Sequence, residues 1–296
     1  MADNMRLIIV SGLSGSGKSV ALHVLEDLGY YCIDNMPAAL LGNVVDELRS
    51  GKDQAAELVA LGVDARNRAS DLDSLPQKIA ELAESGVQTE ILFLHASDDV
   101  LMKRYSESRR KHPLADHGTA LRSAIEAERE LLAELTHSAD LIIDTSRSSV
   151  YELADTIRER VSLRHSEQLS VLIESFGFKN GIPADADFVF DMRGLPNPYW
   201  KVELRSLNGK DKEVAEFLAA QPAVNQMFDD IFEFLSSWIP RYDDAHRSYL
   251  TIAIGCTGGQ HRSVYMAERL AEALSKQHDP VLTRHNELAS HPIQKQ

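Results

Sequence analysis

Eight residues near the start of the chain, Gly12-Leu13-Ser14-Gly15-Ser16-Gly17-Lys18-Ser19, constrain its fold more than any other feature. They fit the pattern Gly-x4-Gly-Lys-Ser. The apolar run Arg6–Val10 before them predicts a strand, and Val20–Leu28 after them repeats apolar residues at helical spacing until Gly29 ends the pattern. In that context the pattern predicts a phosphate-binding loop. Glycines let successive backbone N–H groups turn toward one point, and the start of the helix adds the positive end of its dipole. Lys18 is placed to reach the β- and γ-phosphates, and Ser19 offers a hydroxyl to a metal. The expected ligand is ATP or GTP with Mg²⁺, and all eight residues are expected to contact it.

At 296 residues the chain exceeds one typical domain of about 100–200 residues. Further strands are predicted at Tyr30–Ile33, Leu58–Val63, Ile91–Leu94 and Leu141–Ile143, alternating with helical stretches such as Ala120–Leu135. Such alternation predicts a parallel sheet covered by helices. Tyr151–Val161 reads as its closing helix, and the polar stretch Ser162–Gln168 as the boundary, giving domains at 1–161 and 168–296. In the second half, strands are predicted at Leu169–Glu174, Phe188–Phe190 and Tyr249–Ile254. An apolar helical stretch spans Val214–Pro240 and a last helix Ser263–Leu274, so this domain is also read as α/β.

The formal charge of -14 argues against binding nucleic acid over the whole surface, because phosphates are held by concentrated Lys and Arg. Any RNA contact must be a local patch or depend on oligomerisation. Cys32 and Cys256 lie in apolar runs, and two cysteines make no disulfide framework, which fits a reducing compartment. No stretch approaches the roughly 18–20 apolar residues of a membrane span, and Met1–Val10 runs straight into a strand. A cytoplasmic protein is expected.

Ligands of open α/β sheets sit beyond the carboxyl ends of the strands, so polar residues there are candidates. Asp34 is read either as a water-mediated Mg²⁺ partner or as part of a turn. In Asp64-Ala65-Arg66-Asn67, Asp64 or Asn67 would read a base or ribose and Arg66 a phosphate; a plain surface loop is the alternative. Asp144-Thr145 reads as a helix cap, with a ligand contact as the alternative. Ile91–Leu94 is followed by His95, where many phosphate-loop proteins place a carboxylate, and a neutral imidazole does not supply the charge that orients hydrated Mg²⁺. Slow turnover or binding alone is therefore expected. Lys103, Arg104, Arg109, Arg110 and Lys111 read as a lid that presents cations to phosphates, or as a solvated helix face.

A second glycine loop, Gly255-Cys256-Thr257-Gly258-Gly259-Gln260-His261-Arg262-Ser263, again joins a strand to a helix. Its amides should cradle an anion, with Arg262 as a bidentate partner; a tight turn with Ser263 capping the helix is the alternative. The spacing Cys-x5-Arg-Ser also matches the nucleophile loop of cysteine phosphatases, although Gly255 stands where those enzymes carry a histidine. Phe176–Pro183 and Asp191–Pro198 each follow a strand and add a Lys, an Arg and an acid. An acid beside arginines suits a sugar phosphate that bears an amine.

Together, Val10–Ser19, Asp34–Pro37, Asp64–Asn67, Arg104–Leu114, Phe176–Pro183, Phe190–Pro198 and Gly255–Tyr265 resemble the RapZ family of P-loop nucleotide-binding RNase adapters, from end to end. The resemblance implies a kinase-like N-terminal parallel α/β domain binding ATP or GTP, a C-terminal α/β domain remotely similar to phosphofructokinase, and a homotetramer. It further implies that glucosamine-6-phosphate is sensed in the second domain and that small regulatory RNAs are presented to RNase E. Nucleotide contacts would then be Gly12–Ser19 with Asp64, Ala65, Arg66 and Asn67. Sugar-phosphate contacts would be Asp191, Arg193, Thr257, Gly258, Gly259 and Arg262, and RNA contacts Lys276, Arg284 and Lys295. Three departures stand out: His95 replaces an acidic residue, Tyr199 replaces a histidine, and the tail after Lys276 is sparsely basic. The rival readings are a small-molecule P-loop kinase and a phosphatase using Cys256.

Overall fold

Arg6–Gly12 forms the first strand (β1) of a computed structural model that describes residues 5–50, 57–108, 110–115, 120–162, 169–245 and 247–288. Arg109, Lys295 and residues 163–168 of the expected boundary lie outside the described residues. The chain separates into two compact units, Met1–Ser162 and Leu163–Gln296.

In the first unit β1 is followed by α1 (Lys18–Asp27), β2 (Tyr31–Ile33), α2 (Leu41–Ser50), β3 (Leu58–Gly62), α3 (Ala69–Asp73) and α4 (Leu75–Glu84). Then come β4 (Gln88–His95), α5 (Asp98–Ser108), α6 (Leu121–Leu131), α7 (Ala133–His137), β5 (Leu141–Asp144) and α8 (Val150–Ser162). The strands lie in the order β2-β3-β1-β4-β5, and every pairing is parallel. Leu7, Ile8, Ile9 and Val10 are all buried, the continuous apolar run that a strand covered on both faces requires. From β1 the chain crosses to one side of the sheet for β2 and β3, and only later to the other side for β4 and β5. That reversal opens a crevice beyond the carboxyl end of β1, where the Gly12–Ser19 loop begins. The expected helix Ala120–Leu135 is broken at Leu132 (φ -97°, ψ 8°), and Leu132 and Leu135 both enter the core with Leu7 and Ile9.

The second unit holds β6 (Ser170–Gly177), β7 (Phe188–Asp191), α9 (Lys212–Ala219), α10 (Pro222–Asp244), β8 (Tyr249–Cys256), α11 (Arg262–Leu274) and β9 (Val281–His285). Their sheet runs β7-β8-β6-β9, also wholly parallel. The apolar stretch Val214–Pro240 is two helices. Pro222 has no N–H to continue α9 and holds Gln221 extended (φ -94°, ψ 118°), so it starts α10 instead.

Strand β9 was not anticipated, and it changes the part played by Arg284. Its guanidinium donates to Glu174 Oε2 at 2.6 Å and Asp185 Oδ2 at 3.0 Å inside the unit. Arg284 is therefore an internal ion-pair partner rather than a cation offered to RNA. Burial, with Asp185 nearby, holds the Glu174 carboxyl above its ordinary range despite Arg284. Lys276 is exposed on the surface, 3.8 Å from Glu272. Among the described residues no helix is long and apolar enough to cross a membrane.

Candidate functional site

The Gly12–Ser19 loop leaves β1 between β3 and β4 and enters α1 at Lys18. Gly12 has φ 148°, and a methyl group there would stand 2.8 Å from Leu94 Cβ and 2.9 Å from Leu94 N, so only glycine fits beside β4. Gly15, at φ 92°, carries the turn through a conformation that L side chains rarely adopt. Lys18 projects from the first position of α1. Its Nζ lies 2.6 Å from Asp34 Oδ1 at the end of β2 and 3.1 Å from Asp64 Oδ2 just beyond β3. Arg66 closes the cluster by pairing with Asp64 and donating to Asn35. Burial pushes the Asp64 carboxyl up, but hydrogen bonds from Arg66 and Lys18 outweigh it and hold it below its ordinary value.

Beside the loop lies a cavity of about 590 Å³, walled on one side by the Gly12–Val20 segment and on the other by Tyr105, Ser108, Arg110, Lys111 and Pro113; of the eight loop residues expected to contact a ligand, Ser16 is buried and does not line it. Asp64, Arg66 and Arg104 also reach it. Arg104 donates to the Gly15 carbonyl at 2.9 Å and to the Thr145 carbonyl at 2.6 Å, so it braces the loop against the end of β5. Chemically the cavity offers the glycine backbone of the loop, Lys18 and a facing basic wall, which is what a polyphosphate needs.

In the second unit the residues singled out in the sequence gather at the carboxyl ends of β6, β7 and β8. Gly177 and Gly258 are so close that a methyl on Gly177 would stand 2.9 Å from the Gly258 carbonyl carbon. Arg193 pairs with Asp191 at 2.7 Å and lies over the Phe178 ring at 3.8 Å. Hydrogen bonds from Arg193 hold the Asp191 carboxyl below its ordinary value. Arg262 is buried, and its Nη1 donates to the carbonyls of Arg193 and Leu195, both at 3.0 Å. Cys256 Sγ accepts the Gly259 N–H at 3.2 Å and meets Ser263 Oγ at 3.2 Å. Burial pushes this thiol up, but those hydrogen bonds and the Arg262 charge leave it below its ordinary value.

Residues 5–165 match the RapZ-like N-terminal domain and residues 169–289 the RapZ C-terminal domain. The chain belongs to the RapZ family. A nucleotide-binding protein of Halorhodospira halophila is 53% identical over 287 residues, spanning 97% of this chain and 100% of that one. One of Thioalkalivibrio sulfidiphilus is 51% identical over 286 residues, spanning 96% and 100%. A shikimate kinase of Acinetobacter baumannii, solved with shikimate, is 18% identical and aligns with 54% of this chain and 95% of its own at a TM-score of 0.37, too weak a match to add to the topology above.

For this family member the sequence and the structure differ at several candidate residues. Ala65 is buried, and Asn67 spends both ends of its amide on backbone: it accepts from Ala38 N at 2.7 Å and donates to the carbonyls of Met36 and Asp64. Neither lines the cavity, because Asn67 staples the loop after β2. Asp144 accepts from the amide and hydroxyl of Ser146 and so closes a turn two residues long. Arg262 faces carbonyls as well as the glycine turn, an orientation that spacing alone does not reveal. Glu128 and His112, which the sequence did not single out, also belong to the site. The signal for Glu128 was present: it falls on the buried stripe of α6 with Ala124 and Ile125, where an acid is out of pattern.

Proposed function

We propose that the protein is a nucleotide-binding regulatory adapter of the cytoplasm. On this reading ATP or GTP occupies the Gly12–Ser19 loop, glucosamine-6-phosphate occupies the Thr257–Gly259 turn, and the protein, as a homotetramer, presents small regulatory RNA to RNase E. The observation that carries it is the formed glycine turn with Lys18 beside a cavity of about 590 Å³, within the range of about 300–1,000 Å³ that suits small ligands. Family membership over the whole chain supports the rest. Mg²⁺ would enter with the phosphates and be held by Ser19 and water, and Asp34 or Asp64, each paired with Lys18, is the carboxylate left to orient the shell. The strand β4 ends in His95, 3.4 Å from Arg129, and hydrolysis is expected to be slow at most. For an amino sugar, Asp191 stays ionised beside Arg193 and is able to pair with an ammonium group. RNA contact rests on the family alone, since Arg284 is engaged internally.

Crosslinking the protein to RNA in cells, with wild type beside Lys18→Ala and Arg262→Ala, tests the adapter reading. Defined RNAs should be recovered with wild type and change in yield in the variants; recovery at background level in all three would end it. Calorimetry with glucosamine-6-phosphate tests the second site, where the absence of binding by wild type removes the sensor. A second reading, phosphatase chemistry at Cys256, is favoured by the Gly259 and Ser263 hydrogen bonds onto Sγ. Release of phenol from an aryl phosphate by wild type and not by Cys256→Ser would establish it in place of sensing.

A further inference from the structure

The basic wall of the first cavity is a strap, residues 110–115, that follows α5. Arg110 and Lys111 line the cavity and are exposed. Neither has a hydrogen-bond or ion-pair partner among the described residues. Next to them His112 is buried. Leu114 N–H donates to His112 Nδ1 at 3.2 Å, so the ring proton belongs on Nε2, which faces Glu128 Oε2 at 3.1 Å. Glu128 is wholly buried on α6 and reaches the P-loop as well. Its Oε2 accepts the Ser14 N–H at 2.9 Å and its Oε1 the Ser14 hydroxyl at 2.6 Å. The Tyr105 ring, on the cavity wall, packs against His112 with centroids 5.2 Å apart.

One buried carboxylate therefore takes donors from both the loop and the strap. Burying it is costly unless donors satisfy it, and an apolar side chain would continue the α6 stripe at no such cost. What the carboxylate supplies that a leucine does not is a fixed geometry between Ser14 and His112.

We propose that Glu128 and His112 are positioning residues for nucleotide binding: their buried pair locks the strap to the P-loop, so that Arg110 and Lys111 meet the phosphates the loop holds. This rests on the nucleotide reading of the same cavity. Freed from Glu128, the strap would carry its two cations into solvent, and ATP would lose their charge-assisted hydrogen bonds.

The test is calorimetric titration of the full chain with ATP and Mg²⁺, arranged as a double-mutant cycle. The two perturbations are His112→Ala and the pair Arg110→Ala with Lys111→Ala. Each is expected to weaken ATP binding about tenfold. Combined, they should still cost only about tenfold, because the cations no longer contribute once the strap is loose. His112→Gln, which keeps an N–H toward Glu128, should stay within about threefold of wild type. Independent losses that multiply to about a hundredfold, an unaffected His112→Ala, or full affinity without the two cations would each overturn the proposal. Circular dichroism identifies variants that fail to fold. Should His112→Ala be one, Glu128→Leu replaces it in the cycle, since a leucine offers neither His112 nor Ser14 an acceptor; the same non-additivity is expected. Failure of the nucleotide reading is distinguishable, because wild type itself would then bind no ATP, and the proposal would fall with it.

Discussion

Replacing Gly12 with alanine should damage the first unit more than replacing Gly15, although both residues have positive φ, 148° and 92°. At Gly15 the added methyl would meet Leu101 Cδ2 and Tyr105 Cε2 at 3.5 Å, an ordinary contact. The cost there is conformational, about 1–2 kcal/mol. At Gly12 the methyl would stand 2.8 Å from Leu94 Cβ and 2.9 Å from Leu94 N, nearer still to its carbonyl oxygen. Leu94 has nowhere to go. It is paired in register with Gly12 across β1 and β4, and its carbonyl accepts the Leu13 amide at 3.1 Å. Forcing the strands apart adds about 1–3 kcal/mol to the conformational cost. In a unit of this size that difference corresponds to about 2–12 °C in melting temperature, at about 2–4 °C per kcal/mol. The two units can be read separately, because Trp200 and Trp238 both lie in the second. Circular dichroism follows both units and tryptophan fluorescence only the second. Gly12→Ala should lower the transition that fluorescence does not see, and by more than Gly15→Ala. Equal losses for the two variants, or a loss confined to the tryptophan transition, would refute the packing of the first loop glycine against β4.

Three further outcomes follow from the charges and thiols. Burial, aided by Glu26, pushes the Cys32 thiol up to about 11; its alkylation by iodoacetamide should keep accelerating toward that pH, and a plateau near pH 9 would contradict it. The Glu174 carboxyl is raised above the unfolded value of 4.5, so the folded state favours its proton. Its stabilising contribution is present at low pH and lost as pH rises from 4.5 through the folded value. The stability gap between wild type and Glu174→Gln, read from the tryptophan transition, should therefore change across that window; a pH-independent gap would show the carboxyl is not perturbed. Arg284→Met removes the guanidinium between Glu174 and Asp185 and should cost the second unit about 3–5 kcal/mol at neutral pH. A loss under about 1 kcal/mol would mean that the pair is not a core contact.

Much of this molecule was legible because its signals are local. A glycine pattern between an apolar run and a helical one fixes a strand, a turn and a helix at once, and five parallel strands follow from spacing alone. What stayed hidden depends on partners distant in sequence. Val281–His285 carries an arginine and a histidine that look like a polar tail until Glu174, Asp185 and Glu268 are found opposite them. Asn67 looks like a base reader until Met36 and Ala38 take its amide. Glu128 was the readable exception, an acid on a buried helical stripe, and its partners Ser14 and His112 come from 114 and 16 residues away.

The central claim is that Lys18 and the glycine turn before it bind a nucleoside triphosphate. Calorimetric titration of ATP and GTP into wild type and Lys18→Ala, in Mg²⁺, tests it most directly. Asp64 keeps Arg66 when the lysine is removed, so the variant should stay folded. Saturable binding by wild type, weakened about ten- to a hundredfold in the variant, is the expected result. Equal affinity in the two proteins would contradict it.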